Sequence, residues 1–596
     1  MIEIPPAFIY LGGLLIIPIL KGRLGNLWAL IIGSLGLLAA VLIPETSGGI
    51  TLQVLPGIET IILTMDPFRH LAGIIFSLAG LMAIVYATYR DLRKVQMIGI
   101  LASIAAATGI VYAGDFITVF IFWELLALAS LCIIWASDDI RSGGAGYRYL
   151  LFHILGGACL LGGIVHTIIT TGTAAIGPVG DGAGLILMLI GIGVNAAAIP
   201  VHTWLPDAYP VASVEGSVAL CIFTTKAAVF LLAMIGGWGV VVAYLGAAMA
   251  LYGAIFALLQ DDIRRLLSYS VISQGGYMIA AIGAGTAAGL DAGIAHMAGD
   301  IVFKSLLFMV AGAVIYRTGR GRLSELGGLA KAMPVTALFA IIGGLGLAGL
   351  PGFSGGATKG MVLEAASAVP FLTPILLISA VITTIYVFRF LYFIFFRVAP
   401  GECSSGDAPL PMLVAMGGAA LITVAIGAFP NLLTDLLPGG TVAHPFAVSH
   451  LIESGGILIT ALILILLLRP LRRPGEGWET DIDRLYIAVG RGITWISAEP
   501  LSHGAEGISR RTGSLITVVQ RASANPPVAC HIAWKTSVLP FVRVFSDPPA
   551  IQRYEDSLRE LRRSYPDEQT PIQGGGYGII LIAIVAFLYF LFDLIR

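Results

Sequence analysis

The stretch GIGVNAAAIPVHTWLPDAYP, residues 191–210, interrupts a long apolar part of the chain with prolines and polar side chains. Pro200 cannot donate a backbone hydrogen bond, which predicts a kink near Ala196, and the WLPDAYP that follows predicts a turn outside regular helix. Non-helical backbone at membrane depth is tolerated where it is buried in protein or lines a cavity, so we expect a broken transport helix. The side chains expected to line this break are Asn195, Pro200, His202 and Asp207.

The composition around this stretch is that of a membrane protein. Of the 596 residues, 57% are hydrophobic and only 12% are charged, and the mean hydropathy is +0.92. A soluble domain carries roughly a quarter charged residues. The net charge of −1 shows no basic excess of the kind that favours nucleic-acid binding. These values predict an all-α polytopic membrane protein.

About sixteen candidate transmembrane spans of ~20 apolar residues follow one another along the chain. Spans 7 and 12 are predicted to be broken, and they lie five positions apart in the order of spans. This spacing predicts two inverted five-helix repeats, spans 4–8 and 9–13. The approximate span cores are 7–20, 27–44, 70–88, 95–113, 115–136, 150–170, 183–200, 213–236, 239–259, 267–285, 290–316, 334–369, 371–396, 410–429, 453–469 and 577–595.

Basic residues fall mainly in the loops after odd-numbered spans, for example Arg93 and Arg264. The loop after the seventh span has none, and Arg69 is the exception among the even-numbered loops. The positive-inside rule then places the odd-numbered loops in the cytoplasm. We therefore expect a multi-pass protein of the cell membrane with both termini on the outer side.

The spans divide the chain into six expected parts. The part before the last span is polar and contains several prolines, so it is either a small cytoplasmic loop domain or a lateral amphipathic helix lying along the membrane. The parts are N-terminal spans 1–94, first repeat 95–237, second repeat 238–397, C-terminal spans 398–469, the polar segment 470–576 and the final anchor 577–596.

Ionisable residues inside predicted spans mark an ion path or a paired site. Glu124 and Lys226 lie near the middle of their spans. A carboxylate close to an ammonium group stabilises its charge, so a Glu124–Lys226 pair whose spacing changes can bind and release a proton. The alternatives are a protonated carboxyl group for Glu124 and a static ion pair for Lys226.

A second group of ionisable residues follows in spans 11 and 12. His296, Asp300 and Lys304 are spaced four residues apart, which places them within ~80° on one helix face and predicts a proton relay. Lys359 follows the second predicted break, which Pro351 and the adjacent glycines produce. The alternative for the column of His296, Asp300 and Lys304 is a row of polar contacts between helices. The alternative for Lys359 is a loop position outside the membrane.

Four motifs resemble the antiporter-like subunits of respiratory complex I, whose superfamily includes the Mrp cation/proton antiporters and the membrane-bound hydrogenases. The resemblance covers about residues 60–430, and sixteen spans with a long segment before the last resemble the family's longest member, which carries a lateral helix. The motifs are HTWLPDAYPVASVEGSVAL at 202–220, QDDIRRLLSYSVISQGGY at 260–277, HMAGDIVFKSLLFMVAG at 296–312 and LGLAGLPGFSGGATKG at 345–360.

The resemblance implies ion-translocating roles. Glu124 matches a glutamate that pairs with a lysine and modulates the pKa of that lysine. Lys226 matches the lysine, which lies in the eighth span. His296 and Lys304 match the HxxxHxxxK pattern of the eleventh span, and Lys359 matches the terminal proton-carrying lysine.

Three positions depart from the family pattern. Asn195 stands where a lysine is usual, Asp300 replaces the second histidine, and Gln274 replaces the histidine of YSSISH. Asn195 can exchange hydrogen bonds but cannot take up a proton. Either the half-channel beside it works through water alone, or it is incomplete, and Glu215 is a candidate alternative acid near its mouth.

These observations predict a membrane subunit that moves protons, or Na⁺, within a redox-driven complex resembling complex I or a membrane-bound hydrogenase. The scattered cysteines form no CxxC motif, so we expect no cofactor and no metal in this chain. Whether it counts as an enzyme is left open, since redox chemistry would belong to partners. The expected partners are other membrane subunits, contacted partly by 470–576, peripheral redox subunits and the lipid bilayer. The alternatives are a subunit of an Mrp-type Na⁺/H⁺ antiporter and a channel subunit of an inorganic-carbon uptake complex.

Overall fold

In the computed structural model, the described part of the chain is almost entirely helical. A helix satisfies its backbone hydrogen bonds within one segment, as a bilayer requires. Eleven of the described helices are long and apolar enough to cross a membrane. The described residues are 4–20, 22–44, 49–55, 58–236, 239–398, 406–468, 481–482, 484, 486, 488–489, 491, 526–545 and 548–565.

The first seven helices lead up to the break at 196–203. The structure extends the predicted core 150–170 to a helix of 30 residues, α6. Helix α1 is shorter than predicted and gives way to turns that end near Pro18, a residue that cannot donate to a helical ladder. The helices are α1 (Pro6–Leu14), α2 (Arg23–Leu42), α3 (Pro67–Ala87), α4 (Lys94–Tyr112), α5 (Phe116–Trp135), α6 (Ser142–Thr171) and α7 (Ala183–Asn195).

The next seven helices lie between the two breaks. Helices α9 and α11 are almost entirely buried, and α12 is buried along nearly its whole length. The helices are α8 (Trp204–Val211), α9 (Val214–Ile235), α10 (Val240–Leu259), α11 (Ile263–Gly283), α12 (Ala287–Thr318), α13 (Leu329–Ala332) and α14 (Pro334–Ala348).

Five helices follow the second break within the same compact unit, which spans 1–482. A short π-helical segment, Tyr392–Phe396, extends α16. The predicted core 577–595 lies outside the described residues, so the count of sixteen spans and the repeat relationship stay predictions. The helices are α15 (Ser354–Ala366), α16 (Leu372–Leu391), α17 (Leu410–Ala428), α18 (Asn431–Thr434) and α19 (Val448–Leu467).

Both predicted breaks are present. Helix α7 ends at Asn195, and α14 and α15 are separated by residues 349–353, which include Pro351. The prediction of a turn at WLPDAYP was wrong, because Trp204–Val211 forms the short helix α8. Pro206 lies in its first turn, where backbone N–H groups need no helical partner, so this proline is compatible with a helix.

A β-hairpin that the apolar pattern did not predict lies between α2 and α3. Strands β1 (Ile50–Leu55) and β2 (Ile58–Leu63) pair antiparallel. The backbone N–H of Gly114 donates to the carbonyl of Ile61 at 2.8 Å. The hairpin therefore closes against the α4–α5 connection and is an addition to an otherwise helical fold.

A second compact unit spans 483–596. Within it, α20 (Pro526–Phe545) and α21 (Pro548–Arg563) pack as a helical hairpin, and Arg543 forms an ion pair with Glu555 at 2.6 Å. Much of the polar segment 470–576, for which the sequence left a loop domain or a lateral amphipathic helix open, lies outside the described residues. The lateral helix therefore stays a prediction.

Candidate functional site

The predicted column on α12 is formed and is completely buried. His296, Asp300 and Lys304 each have 0% exposure. Their spacing of four residues places them on one face, which is directed at α9, α11 and α15. Asp300 contacts Lys226 directly, and His296 contacts Thr358, the residue before Lys359. We call these five ionisable side chains the buried row: Lys226, Asp300, Lys304, His296 and Lys359.

One carboxylate lies between two amines at one end of the buried row. Lys226 Nζ on α9 is 2.9 Å from Asp300 Oδ2. Lys304 Nζ is 3.8 Å from Asp300 Oδ1 and donates a hydrogen bond to Ser270 Oγ on α11 at 2.7 Å. A buried charge needs a compensating partner, and one carboxylate can balance only one ammonium group. The trio is therefore electrically balanced with a single proton shared between the two amines.

The expected Glu124–Lys226 ion pair is absent from the described residues, because Lys226 pairs with Asp300 instead. Glu124 on α5 is half-buried, and its Oε1 has no hydrogen-bond partner in the described structure. The carboxylate faces α6 at Gly157, where an added Cβ atom would lie 2.3 Å from Oε1. The aspartate at 300 thus takes the place that the pairing hypothesis gave to Glu124.

His296 is held from both sides. Its Nε2 lies 3.2 Å from Gln274 Oε1 on α11, and its Nδ1 lies 2.9 Å from Thr358 Oγ1 on α15. Thr358 in turn donates to the carbonyl of Ser354 at 3.0 Å. An imidazolium donates from both nitrogens, so this arrangement satisfies the charged ring. Rotating the Gln274 amide by 180° would present an N–H to Nε2 and satisfy the neutral ring.

Lys359 ends the buried row on α15, inside a helix and 4% exposed. Its Nζ donates to the carbonyl of Leu347, near the end of α14, at 2.7 Å and lies 5.0 Å from the centroid of the Tyr277 ring. Gly349 has φ +84, and a Cβ atom there would lie 2.8 Å from Lys359 Cδ. The break between α14 and α15 therefore makes room for the lysine stem and supplies its acceptor.

The first break carries different chemistry. Asn195 is the last residue of α7 and 1% exposed, and neither polar atom of its amide has a partner in the described structure. His202 is 0% exposed, Pro200 follows a cis peptide bond, and Asp207 pairs with Arg148. Asn195 lies before the first helix break, whereas Lys359 lies after the second. The two residues therefore do not occupy equivalent positions relative to the breaks.

Glu215, the candidate alternative acid, is 1% exposed at the start of α9. It forms an ion pair with Arg90 at 2.7 Å and accepts a hydrogen bond from the Tyr89 hydroxyl at 3.3 Å. Burial, together with the negative charge of Glu215, holds the pKa of Tyr89 well above its usual value. These contacts are those of a fixed ion pair.

A cavity of about 360 Å³ lies beside the last turns of α15. Glu364, His444, His450 and Glu453 are among its lining residues. A Cβ atom at Gly360 would lie 3.0 Å from the His450 ring, so this ring packs against the residue next to Lys359. The cavity therefore brings titratable side chains close to the end of the buried row.

Sequence reasoning missed the partners that complete these contacts, namely Ser270, Thr358 and Asp481. Ser270 and Thr358 lie inside the motifs, where unexplained hydroxyl side chains on apolar helices are the available signal. Asp481, whose Oδ2 lies 3.3 Å from His202 Nε2, lies in a polar segment with no such signal. Within the described residues no group of three or more histidine, cysteine or acidic side chains is arranged to hold a metal ion.

Comparison with known proteins places residues 113–385 in a recognised domain. This range matches the family described as "NADH:quinone oxidoreductase/Mrp antiporter, TM". One Na⁺/H⁺ antiporter subunit of Alkalihalophilus pseudofirmus is 26% identical over 446 residues, which are 65% of this chain and 55% of that protein. The chain therefore spans about half the length of this curated relative.

Two solved structures are similar in fold. A chain of the membrane-bound sulfane sulfur reductase, an archaeal respiratory membrane complex, aligns with a TM-score of 0.69 and 24% identity, covering 91% of this chain and 99% of that one. A chain of respiratory complex I from Thermus thermophilus aligns with a TM-score of 0.66 and 20% identity, covering 76% of this chain and 99% of that one. These similarities show a shared fold.

Proposed function

We propose that this chain, an antiporter-like membrane protein of the NADH:quinone oxidoreductase and Mrp antiporter family, moves protons across the bilayer as one subunit of a larger membrane complex. The observation that carries the proposal is the buried row. Charged side chains inside a membrane protein are expensive, and they persist mainly along ion paths. Five such side chains lie buried on α9, α12 and α15, which is more than helix packing requires.

The chemistry of the row favours a proton over Na⁺ as the transported ion. A hard cation such as Na⁺ is bound by oxygen ligands. Three of the five members are lysines and one is a histidine, and these groups exchange protons but repel cations when charged. The side chains of the buried row therefore support proton transfer. Any exchange for Na⁺ would take place outside the buried row.

Asp300 supplies the switch in this proposal. Its carboxylate contacts Lys226 at one oxygen and lies within 3.8 Å of Lys304 at the other. A proton on Lys226 draws the carboxylate charge toward α9, and a proton on Lys304 draws it along α12. Transfer between the two amines therefore needs only a small change in the Asp300 side chain.

His296 and Lys359 continue the path. His296 is one turn of α12 from Asp300, and Thr358, which touches its ring, precedes Lys359 on α15. A proton that arrives at His296 gives the imidazolium that the observed contacts satisfy. Its onward transfer to Lys359 brings it beside the cavity lined by Glu364 and His450, which we assign as the exit on the outer side of the cell membrane.

The driving reaction would lie in partner subunits, and two kinds of complex fit. The similarity in fold to polypeptide chains of respiratory complexes fits a redox-driven pump, which is our first candidate. The name of the Alkalihalophilus relative fits a Na⁺/H⁺ antiporter subunit, which is the second. In either case other membrane subunits are the expected neighbours, with the 470–576 segment as one contact.

The test uses inside-out membrane vesicles from a host that makes the complete complex, with a dye that reports internal pH. Acidification on adding NADH or a reduced viologen identifies the redox-driven pump. Collapse of a preset pH gradient on adding NaCl identifies the antiporter. Lys304→Ala and Lys359→Ala should each abolish whichever of these two pH changes the wild type shows. The complex should stay assembled on a native gel.

Lys331→Ala is the matched control, because Lys331 is an exposed lysine on α13 away from the buried row. It should transport at the wild-type rate. Wild-type transport by both Lys304→Ala and Lys359→Ala in assembled complexes would refute the proposed path.

A further inference from the structure

Asp481 reaches the membrane-embedded part of the first unit from the polar segment that follows α19. Its side chain is 4% exposed and contacts three residues. The hydroxyl groups of Tyr252 on α10 and Tyr269 on α11 donate hydrogen bonds to its two carboxylate oxygens. His202 Nε2 lies 3.3 Å from Oδ2. A carboxylate from a segment with no membrane-spanning pattern is thus buried among helices.

The location of this cluster is the first helix break. His202 lies between α7 and α8, and its ring packs edge-on against Tyr252 with centroids 4.9 Å apart. On the other side of the break, Gly275 of α11 faces the carbonyl of Ala196, next to the unpartnered amide of Asn195. Asp481 and His202 therefore meet at the helix break that also contains Asn195, the residue that stands where the resembled family usually has a lysine.

If Asp481 only anchored its segment to the helices, the side chain would not need to be a carboxylate. Two tyrosine hydroxyls could also hold an asparagine, because the amide oxygen accepts from one hydroxyl and the amide NH2 donates to the other. A carboxylate is costly to bury unless it compensates a charge. The only group among its described contacts that can become a cation is His202, and Arg265 acts on the cluster more remotely, through Tyr269.

We propose that His202 and Asp481 form a proton-loading pair at the mouth of the first half-channel, where the imidazole takes up the proton and Asp481 compensates its charge. The pair does the work that a lysine at position 195 would otherwise do. Only a proton moves: it binds at one ring nitrogen of His202 and leaves from the ring toward the Asn195 side. Asp481 acts through His202 and is a positioning and charge-compensating residue.

The inference rests on the proposed function, and the test keeps the two separate. In the same vesicles, transport is measured against pH for Asp481→Asn, Asp481→Glu and His202→Gln. Asp481→Asn keeps contact with both tyrosines and removes the negative charge that compensates a protonated His202. The rate should reach half its maximum at a pH lower by roughly one unit or more, the size of a nearby-charge effect.

Asp481→Glu should restore the wild-type pH profile in large part, and His202→Gln should lower the rate roughly a hundredfold at every pH, the size of a lost acid–base group. In the double variant, Asp481→Asn should add nothing to the loss caused by His202→Gln. Asp261→Asn is the matched control, because Asp261 is also buried but holds Ser324. Its pH profile should match the wild type.

An assembled Asp481→Asn complex with the wild-type rate and pH profile would overturn the inference. So would loss of assembly in both Asp481→Asn and Asp481→Glu, which would make Asp481 an anchor. If Lys304→Ala abolishes transport while Asp481→Asn is normal, only this inference fails. If Lys304→Ala and Lys359→Ala transport normally, the proposed function fails.

Discussion

The ammonium group of Lys226 lies 2.9 Å from the carboxylate of Asp300, and a second amine, Lys304, lies one helical turn farther along α12. All three side chains are at most 2% exposed. Two amines thus compete for one carboxylate in a low-dielectric interior. Charge balance between them, more than the strength of either contact, sets the state of the site.

Asp300→Asn should remove the compensation from both amines. We expect transport to fall at least roughly tenfold and the complex to lose about 3–5 kcal/mol of stability, because a buried charge loses its partner. Thermal denaturation in detergent and vesicle transport measure the two effects. Asp291→Asn is the control: Asp291 is buried on the same helix but accepts hydrogen bonds from Gly439 and Thr441. It should lose stability and keep transport; equal transport in the two variants would contradict a special role for Asp300.

Gln274→Leu should disturb transport more than folding. The variant removes the amide that contacts His296, at a cost of about 1–3 kcal/mol for a buried polar group left unpaired. Gln96→Leu is the control, because Gln96 is a buried glutamine that donates to the carbonyl of Ala136 at 3.2 Å, outside the buried row. We expect similar melting shifts but reduced transport only for Gln274→Leu. The same transport loss in both variants would show a general packing effect.

Gly157→Ala should displace the Glu124 carboxylate, because the new Cβ atom would lie 2.3 Å from Oε1. If Glu124 acts in transport, the rate falls while the complex assembles. Gly162→Ala, on the same helix, meets its nearest neighbour, Leu187 Cδ1, at an ordinary 3.6 Å and should be neutral. Normal transport by Gly157→Ala, together with normal transport by Glu124→Gln, would remove Glu124 from the path.

Gly349→Ala should reduce transport by moving Lys359. Both Gly349 and Gly352 have a positive φ, +84 and +86, so alanine at either position costs about 1 kcal/mol of backbone strain. Only at Gly349 would the Cβ atom press on Lys359, at 2.8 Å from Cδ, whereas nothing lies within 4 Å at Gly352. The comparison of the two variants isolates the contact with the lysine. Equal rates would show that the position of Lys359 is not critical.

The positions of most long helices were predictable from the sequence, because a long apolar run indicates a membrane-spanning helix. Proline marked both breaks, and spacing of four residues on α12 correctly placed the His296 column on one buried face. Pairing between helices was not predictable, because nothing in the spacing of Glu124 or Asp300 says which of them Lys226 reaches. The helix at Trp204–Val211 was missed because Pro206, in its first turn, and Pro210, near its end, are residues typical of turns.

The bond from Lys359 to the carbonyl of Leu347 has a consequence for the two ends of the path. The last carbonyl groups of α14 form the negative end of a helix macrodipole, equivalent to about half an elementary charge. Lys226 and Lys304 depend on a carboxylate that can rotate, whereas Lys359 faces a partial charge fixed in the backbone. On the proposed path, a proton that reaches Lys359 would be held by a stationary field, and its release would depend on what changes in the cavity beyond.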